Sequence, residues 1–105
     1  MTSPIAPDQF APHASKAAAL LKAMANEHRL MILVHLAGGE KSVGALESLM
    51  ASESGDQTGL SQSALSQHLA RLRRDRLVAT RREAQMIYYS LAGSSAAAIL
   101  AALKP

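Results

Sequence analysis

Ser61, Gln62, Ser63, Ser66, Gln67, His68 and Arg71 lie between positions 61 and 71 and share one chemistry, hydrogen bonding at short reach. Leu65, Leu69 and Leu72 are interleaved with them at i, i+4 and i+7, the period of a helix with one apolar face. Amides and hydroxyls on the opposite face suit base edges and phosphates, whereas a merely solvated helix favours Glu and Lys. A polar solvated face is the plain alternative for the same residues. Arg71, Arg73, Arg74, Arg76, Arg81 and Arg82 crowd into the stretch 71–82, a cationic surface of the kind that meets phosphates. Arg74, Arg81, Arg82 and Gln85 complete the set of DNA-facing candidates. Arg81 and Arg82 precede the tip of a predicted hairpin, where an arginine enters a minor groove or clamps the backbone; an exposed strand end that keeps the hairpin soluble is the alternative.

The elements that position these residues read as follows. Residues 1–9, with Pro4 and Pro7, read as a flexible tail, and 10–105 as one domain. Phe10 to about Met24 is an Ala-rich helix. Asn26 caps a second helix whose stripe is Leu30, Leu33, Val34 and Leu36 or Ala37, ended by Gly38-Gly39. Ser42 caps a short third helix through Val43, Leu46, Leu49 and Met50. Residues 51–59 read as a polar loop that either extends this helix or bulges outward, with Glu53 and Asp56 keeping it away from phosphate. The Ser/Gln-rich helix follows. Val78, Thr80, Ile87, Tyr89 and Leu91 then alternate as strands do, giving a two-stranded hairpin around 82–85, with Tyr88 and Tyr89 on opposite faces. Ser94 or Ser95 caps a last helix. The predicted fold is mainly α with a small β-hairpin, in the order α-α-α-α-β-β-α of a winged helix-turn-helix.

Composition limits what the chain can do. At 105 residues it fits one domain, and with one Phe, two Tyr and no Trp its core must be built from Leu, Ile, Met and Ala. So small a core gains from pairing with a second copy. The net charge is +3, and no apolar run approaches the roughly 18 residues of a membrane span. The opening Met1-Thr2-Ser3-Pro4 has no signal-peptide pattern, so no membrane association and a cytoplasmic location are expected. Zero cysteines exclude thiolate ligands and thiol redox chemistry. There is no carboxylate pair, HExxH, triad context or glycine-rich phosphate loop, so an enzyme is not expected.

No cofactor or metal is expected either. His28 and His35, seven apart on one helix, are separated by roughly 10 Å of axial rise and cannot share one ion. His13, His28 and His35 are read as structural. His68 either faces a phosphate or packs near the start of a neighbouring helix. The methionines are read as core filler.

Met24–Leu33, Leu60–Leu69 and the pair Thr80–Glu83 with Ile87–Tyr89 together resemble the second helix, recognition helix and wing of the ArsR/SmtB family of bacterial transcriptional repressors. The resemblance spans about Ala17 to Leu91 and is nearest to the thiol-sensing branch typified by BigR, SqrR and HlyU. It implies a homodimer paired through its first and last helices, here by Leu20, Leu21, Met24, Ile99, Leu100 and Leu103, bound to double-stranded DNA at a palindromic operator and released by an inducer.

This chain departs from that pattern in several places. Val34 and the Ala101–Lys104 region stand where the branch carries its cysteines, and the metal-sensing motifs on the third and last helices are missing. Arg76 and Ala84 stand where members tend to have Gly, at a cost of about 1 kcal/mol each if φ is positive there. The inducer cannot be read from the residues. A winged-helix interaction or dimerisation module that has lost operator binding is the alternative function.

Overall fold

The computed structural model describes residues 5–54 and 60–105. Its elements are α1 (Pro7–Met24), α2 (Glu27–Ala37), β1 (Lys41–Ser42), α3 (Val43–Ser54), α4 (Gln62–Arg74), β2 (Val78–Glu83), β3 (Met86–Leu91) and α5 (Ser95–Leu103). The expected order is present with one addition, the short strand β1.

Local chemistry explains the helix starts. Pro7 sits in the first turn of α1, where its missing N–H costs nothing, and Asp8 complements the positive end of the helix. α1 therefore begins inside the segment expected to be a loose tail; residues 1–4 of that tail lie outside the described residues. Asn26 accepts a hydrogen bond from the Arg29 N–H at 3.1 Å, Ser42 from Ala45 at 3.1 Å, and Ser61 from Ala64 at 3.0 Å. These are three N-caps of one kind, each using a side-chain oxygen three residues before the donor. Ser94 precedes α5 but makes no such bond. Gly39 ends α2 at φ 132°, a conformation that suits glycine.

Two further helices differ from the sequence expectation. α3 continues through Ala51–Ser54, so the first residues of the expected loop extend it, as one of the two readings held. Residues 55–59, with Asp56, lie outside the described residues, as does the side chain of Glu53. On α2 the buried residues are Ile32, Leu33 and Leu36, while Val34 is 47% exposed and Ala37 is also exposed. The helix is apolar on nearly every side, so period alone could not choose the buried arc.

The sheet has the order β1-β3-β2, antiparallel throughout. Lys41 and Ser42 pair with Tyr89 and Tyr88, and β2 runs in register from Val78 opposite Leu91 to Glu83 opposite Met86. β2 reaches Glu83, so the hairpin turns on Ala84-Gln85 alone. Tyr89 packs against the core, while Tyr88 is half-buried on the other face. The core joins Ile32, Leu33 and Leu36 of α2, Leu46 and Met50 of α3, Leu65, Leu69 and Leu72 of α4, and Leu77, Val78 and Ala96.

Among the described residues, two other than glycine have positive φ, Arg76 at 61° and Ala84 at 56°. Arg76 follows α4 in a Schellman turn: the Leu77 N–H reaches the Leu72 carbonyl at 2.9 Å, and the Arg76 N–H reaches Arg73 at 3.0 Å. Ala84, first of the two turn residues and the one with positive φ, gives the sign pattern of a II′ hairpin, which favours glycine there. Left-handed strain of roughly 1–2 kcal/mol outweighs the roughly 0.4–1 kcal/mol of chain entropy that glycine adds to the unfolded state. Arg76→Gly and Ala84→Gly should therefore each raise stability by up to about 1 kcal/mol, seen as a higher urea midpoint at unchanged slope. A lowered midpoint in either variant would show that its turn is not strained.

Candidate nucleic-acid interface

α4 owes its position to three leucines. Leu65, Leu69 and Leu72 are 2%, 2% and 0% exposed, so one stripe of the helix is fully inside and the opposite face is left to solvent. Along that outer face Ser63, Ser66, Gln67, Ala70, Arg73 and Arg74 succeed one another at helical spacing, all exposed. Ser61 and Gln62 are exposed at the N-terminal end, with the Ser61 hydroxyl already committed as a cap. Beside this face, an open groove of about 460 Å³ runs between α4 and the sheet, lined by Val43, Ser66, Ala70, Arg73, Arg74 and Tyr89 among others.

From the sequence Arg73 belonged to the arginine cluster but not to the DNA-facing candidates, although it lies seven residues after Ser66 and so on the same face; the spacing would have found it. His68 and Arg71 depart the other way. Both are half-buried on the flank of α4 that meets α2. The His68 ring lies 5.7 Å from that of His28, centroid to centroid, and its Nδ1 is 3.4 Å from Arg29 Nη1. His68 thus lies near the start of α2, beside His28 and Arg29. Arg71 donates to Asp75 Oδ2 at 3.1 Å.

Arg29 ties this junction together. Its Nε donates to the Ala23 carbonyl and its Nη2 to that of Lys22 at 3.4 Å, so a cation sits at the C-terminal end of α1 while touching His68 of α4. Burial, the neighbouring Arg71 and, in opposition, Asp75 leave its affinity for the proton somewhat lowered.

In the hairpin, Arg81 and Arg82 project to opposite faces, as neighbours on a strand must. Arg82 shares a face with Thr80 and buried Val78, and makes no ion pair among the described residues. Arg81 instead donates to Glu40 through Nε at 2.7 Å and Nη2 at 2.9 Å. Those bonds hold the Glu40 carboxyl below its usual range and the guanidinium above its own. Gln85 is exposed at the turn.

The expected pairing residues divide as well. Leu21 and Leu103 are 53% and 63% exposed; Leu20, Ile99 and Leu100 are half-buried against the core. Met24, at 3% exposure, is already covered within one chain and belongs to the core. Among the described residues no three His, Asp or Glu side chains gather to hold a metal, and no helix is long and apolar enough to cross a membrane.

A helix with a bare polar face, preceded by a capped helix and followed by a hairpin of the same sheet, defines a winged helix-turn-helix protein. The profile of bacterial regulatory proteins of the arsR family matches residues 26–80, from the cap of α2 into β2, and the chain belongs to that family. It is 48% identical over 98 residues to the transcriptional activator HlyU of Vibrio cholerae serotype O1, covering 93% of this chain and 83% of that protein. The crystal structure of the transcriptional repressor BigR from Xylella fastidiosa matches with a TM-score of 0.77 at 36% identity, over 94% of this chain and 93% of the other. The homodimeric winged helix-turn-helix DNA-binding domain Mb0332 from Mycobacterium bovis, a possible ArsR-family transcriptional regulator, matches with a TM-score of 0.70 at 32% identity, over 98% of this chain and 86% of the other. HlyU and BigR typify the branch whose pattern the sequence resembles. These relatives are transcriptional regulators, not enzymes.

The junction of α2 and α4 carries a pH dependence. Burial first, then the Arg29 charge and then His28 push the His68 imidazole below its usual 6.5. The unfolded chain therefore takes up this proton at higher pH than the folded one, and stability falls as pH drops below about 6.5, levelling off once the folded form is also protonated. Urea unfolding at about pH 7.5 and about pH 5 should show a larger loss for the native chain than for His68→Gln. Equal losses would remove His68 as the source.

Proposed function

We propose that this chain is a sequence-specific DNA-binding transcriptional regulator that acts as a homodimer on a two-fold symmetric operator. The observation that carries this reading is the uncovered outer face of α4, where Ser63, Ser66, Gln67, Arg73 and Arg74 run together, with Arg82 exposed on the hairpin that follows. Short amides and hydroxyls offer hydrogen bonds to base edges from the major groove, and the arginines offer charge to the flanking phosphates. In this reading Gln62, Ser63, Ser66 and Gln67 read bases, Arg73 and Arg74 meet the backbone as the helix leaves the groove, and Arg82 with Gln85 reaches the neighbouring minor groove.

Pairing of two copies is supported by exposed Leu21 and Leu103 on the terminal helices, which a single chain leaves in water, and by the homodimeric Mycobacterium bovis relative. A two-fold dimer would then present its α4 helices about 34–36 Å apart, one turn of DNA. Repression is the proposed sign, since a dimer seated on an operator blocks access to it; the named relatives include both an activator and a repressor. Thiol oxidation is not the release signal in this reading, because the chain has no cysteine to oxidise. The cytoplasm, where DNA is met in bacteria, is its proposed location.

The test is an anisotropy titration against the chain's own upstream promoter DNA and a genomic fragment pool at two salt concentrations, with scrambled duplex as competitor. Tight, salt-sensitive binding that the scrambled duplex cannot displace is the expected result. Failure on the pool as well would favour an interaction module. Gln67→Ala should weaken operator binding by about 1–3 kcal/mol while sparing random DNA, the mark of a base-edge contact. Equal loss on both would refute that role. Arg82→Ala should weaken binding to every duplex and flatten the plot of log K against log salt by about 0.9 per copy; an unchanged slope would take Arg82 off the phosphate-contact list.

A further inference from the structure

Arg81 spans the sheet. From β2 its guanidinium carbon stands 4.5 Å over the ring of Tyr88 on the middle strand, and its fork closes on both oxygens of Glu40, the residue just ahead of β1. Nη1 also reaches Glu83 at 3.4 Å. Tyr88 is the register partner of Arg81 on one side and of Ser42 on the other, so the side chain starts along that rung, crosses the middle strand and ends on Glu40, two residues before Ser42. The face it follows is the one turned away from buried Val78 and the core.

That rung matters because β1 is only two residues long and two-stranded hairpins are marginal alone. β1 leads directly into α3, so whatever holds β1 to the hairpin also fixes the hairpin against the helices. A forked arginine-carboxylate contact seated on an aromatic ring has the directionality for this, which a looser lysine pair lacks.

We propose that Arg81 and Glu40 form a strap that sets the pose of the wing relative to α3 and α4, with Arg81 a positioning residue and Arg82 the cation the wing turns to DNA. This rests on the DNA-binding reading. The strap explains why two adjacent arginines behave differently: one is spent on two carboxylates, the other has none.

Operator affinity and its salt slope, measured for native chain, Glu40→Gln, Arg81→Ala, Arg81→Lys and the Glu40→Gln/Arg81→Ala double variant, test it. Each single variant should weaken operator binding by roughly two- to five-fold, the fold-change that the coupling of an exposed charge pair represents, with the salt slope unchanged. The double variant should be no weaker than the singles. Glu40→Gln is the telling case, since losing a carboxylate ought to tighten DNA binding if only charge counted. Tighter binding by Glu40→Gln with a slope steeper by about 0.9 per copy would make Arg81 a withheld phosphate contact and overturn the strap. Native affinity in Arg81→Lys beside weakened Arg81→Ala would overturn it too, as would native affinity in all variants. Salt-sensitive operator binding by the native chain preserves the DNA reading in each of those cases; its absence on any duplex takes down both.

Discussion

Burial of Leu65, Leu69 and Leu72 is the constraint on which the rest depends. These side chains lock the rotation of α4 about its own axis, and with it every polar residue on the opposite side. A turn of the helix by one residue would pull a leucine into water, exchange it for a serine or glutamine, and cost several kcal/mol by loss of apolar burial alone. The polar face is thus displayed by what lies beneath it. α1, α2 and β2 pack against α4, and the start of α2 is fixed by Asn26, so a local cap propagates into the placement of the surface that would meet DNA.

What could be read from the sequence was what is encoded locally. The caps at Asn26 and Ser42 and the leucine spacing of α4 each need only a few consecutive residues, and all are present. β1 was missed because Lys41-Ser42 is too short to alternate; it is a strand only through Tyr88 and Tyr89, far along the chain. Pro7 read as a breaker because proline stops a helix from inside but starts one well from its first turn. The site shows the same division. Ser63, Ser66, Gln67 and Arg74 follow from helical spacing, and Arg73 would have too. Arg81 and His68 do not, since their surroundings come from Glu40 and from Arg29 and His28, forty-one and about forty residues away in the chain.

The core is built almost wholly of aliphatic side chains and leaves leucines of both terminal helices in water. Val34, 47% exposed, lines an apolar groove of about 280 Å³ with Leu30, Leu100 and Leu103.

β2 is bounded by two left-handed residues, Arg76 just before it and Ala84 just after. Strain confined to the two ends of a strand is released when that strand detaches, whether or not the helices move. The hairpin is therefore held less firmly than its ladder of hydrogen bonds alone would hold it. That release is opposed by Leu77, Val78 and Tyr89, which tie the strands to the core, and by the contact of Arg81 with Glu40, so the two turns loosen the ends of the hairpin without freeing its middle.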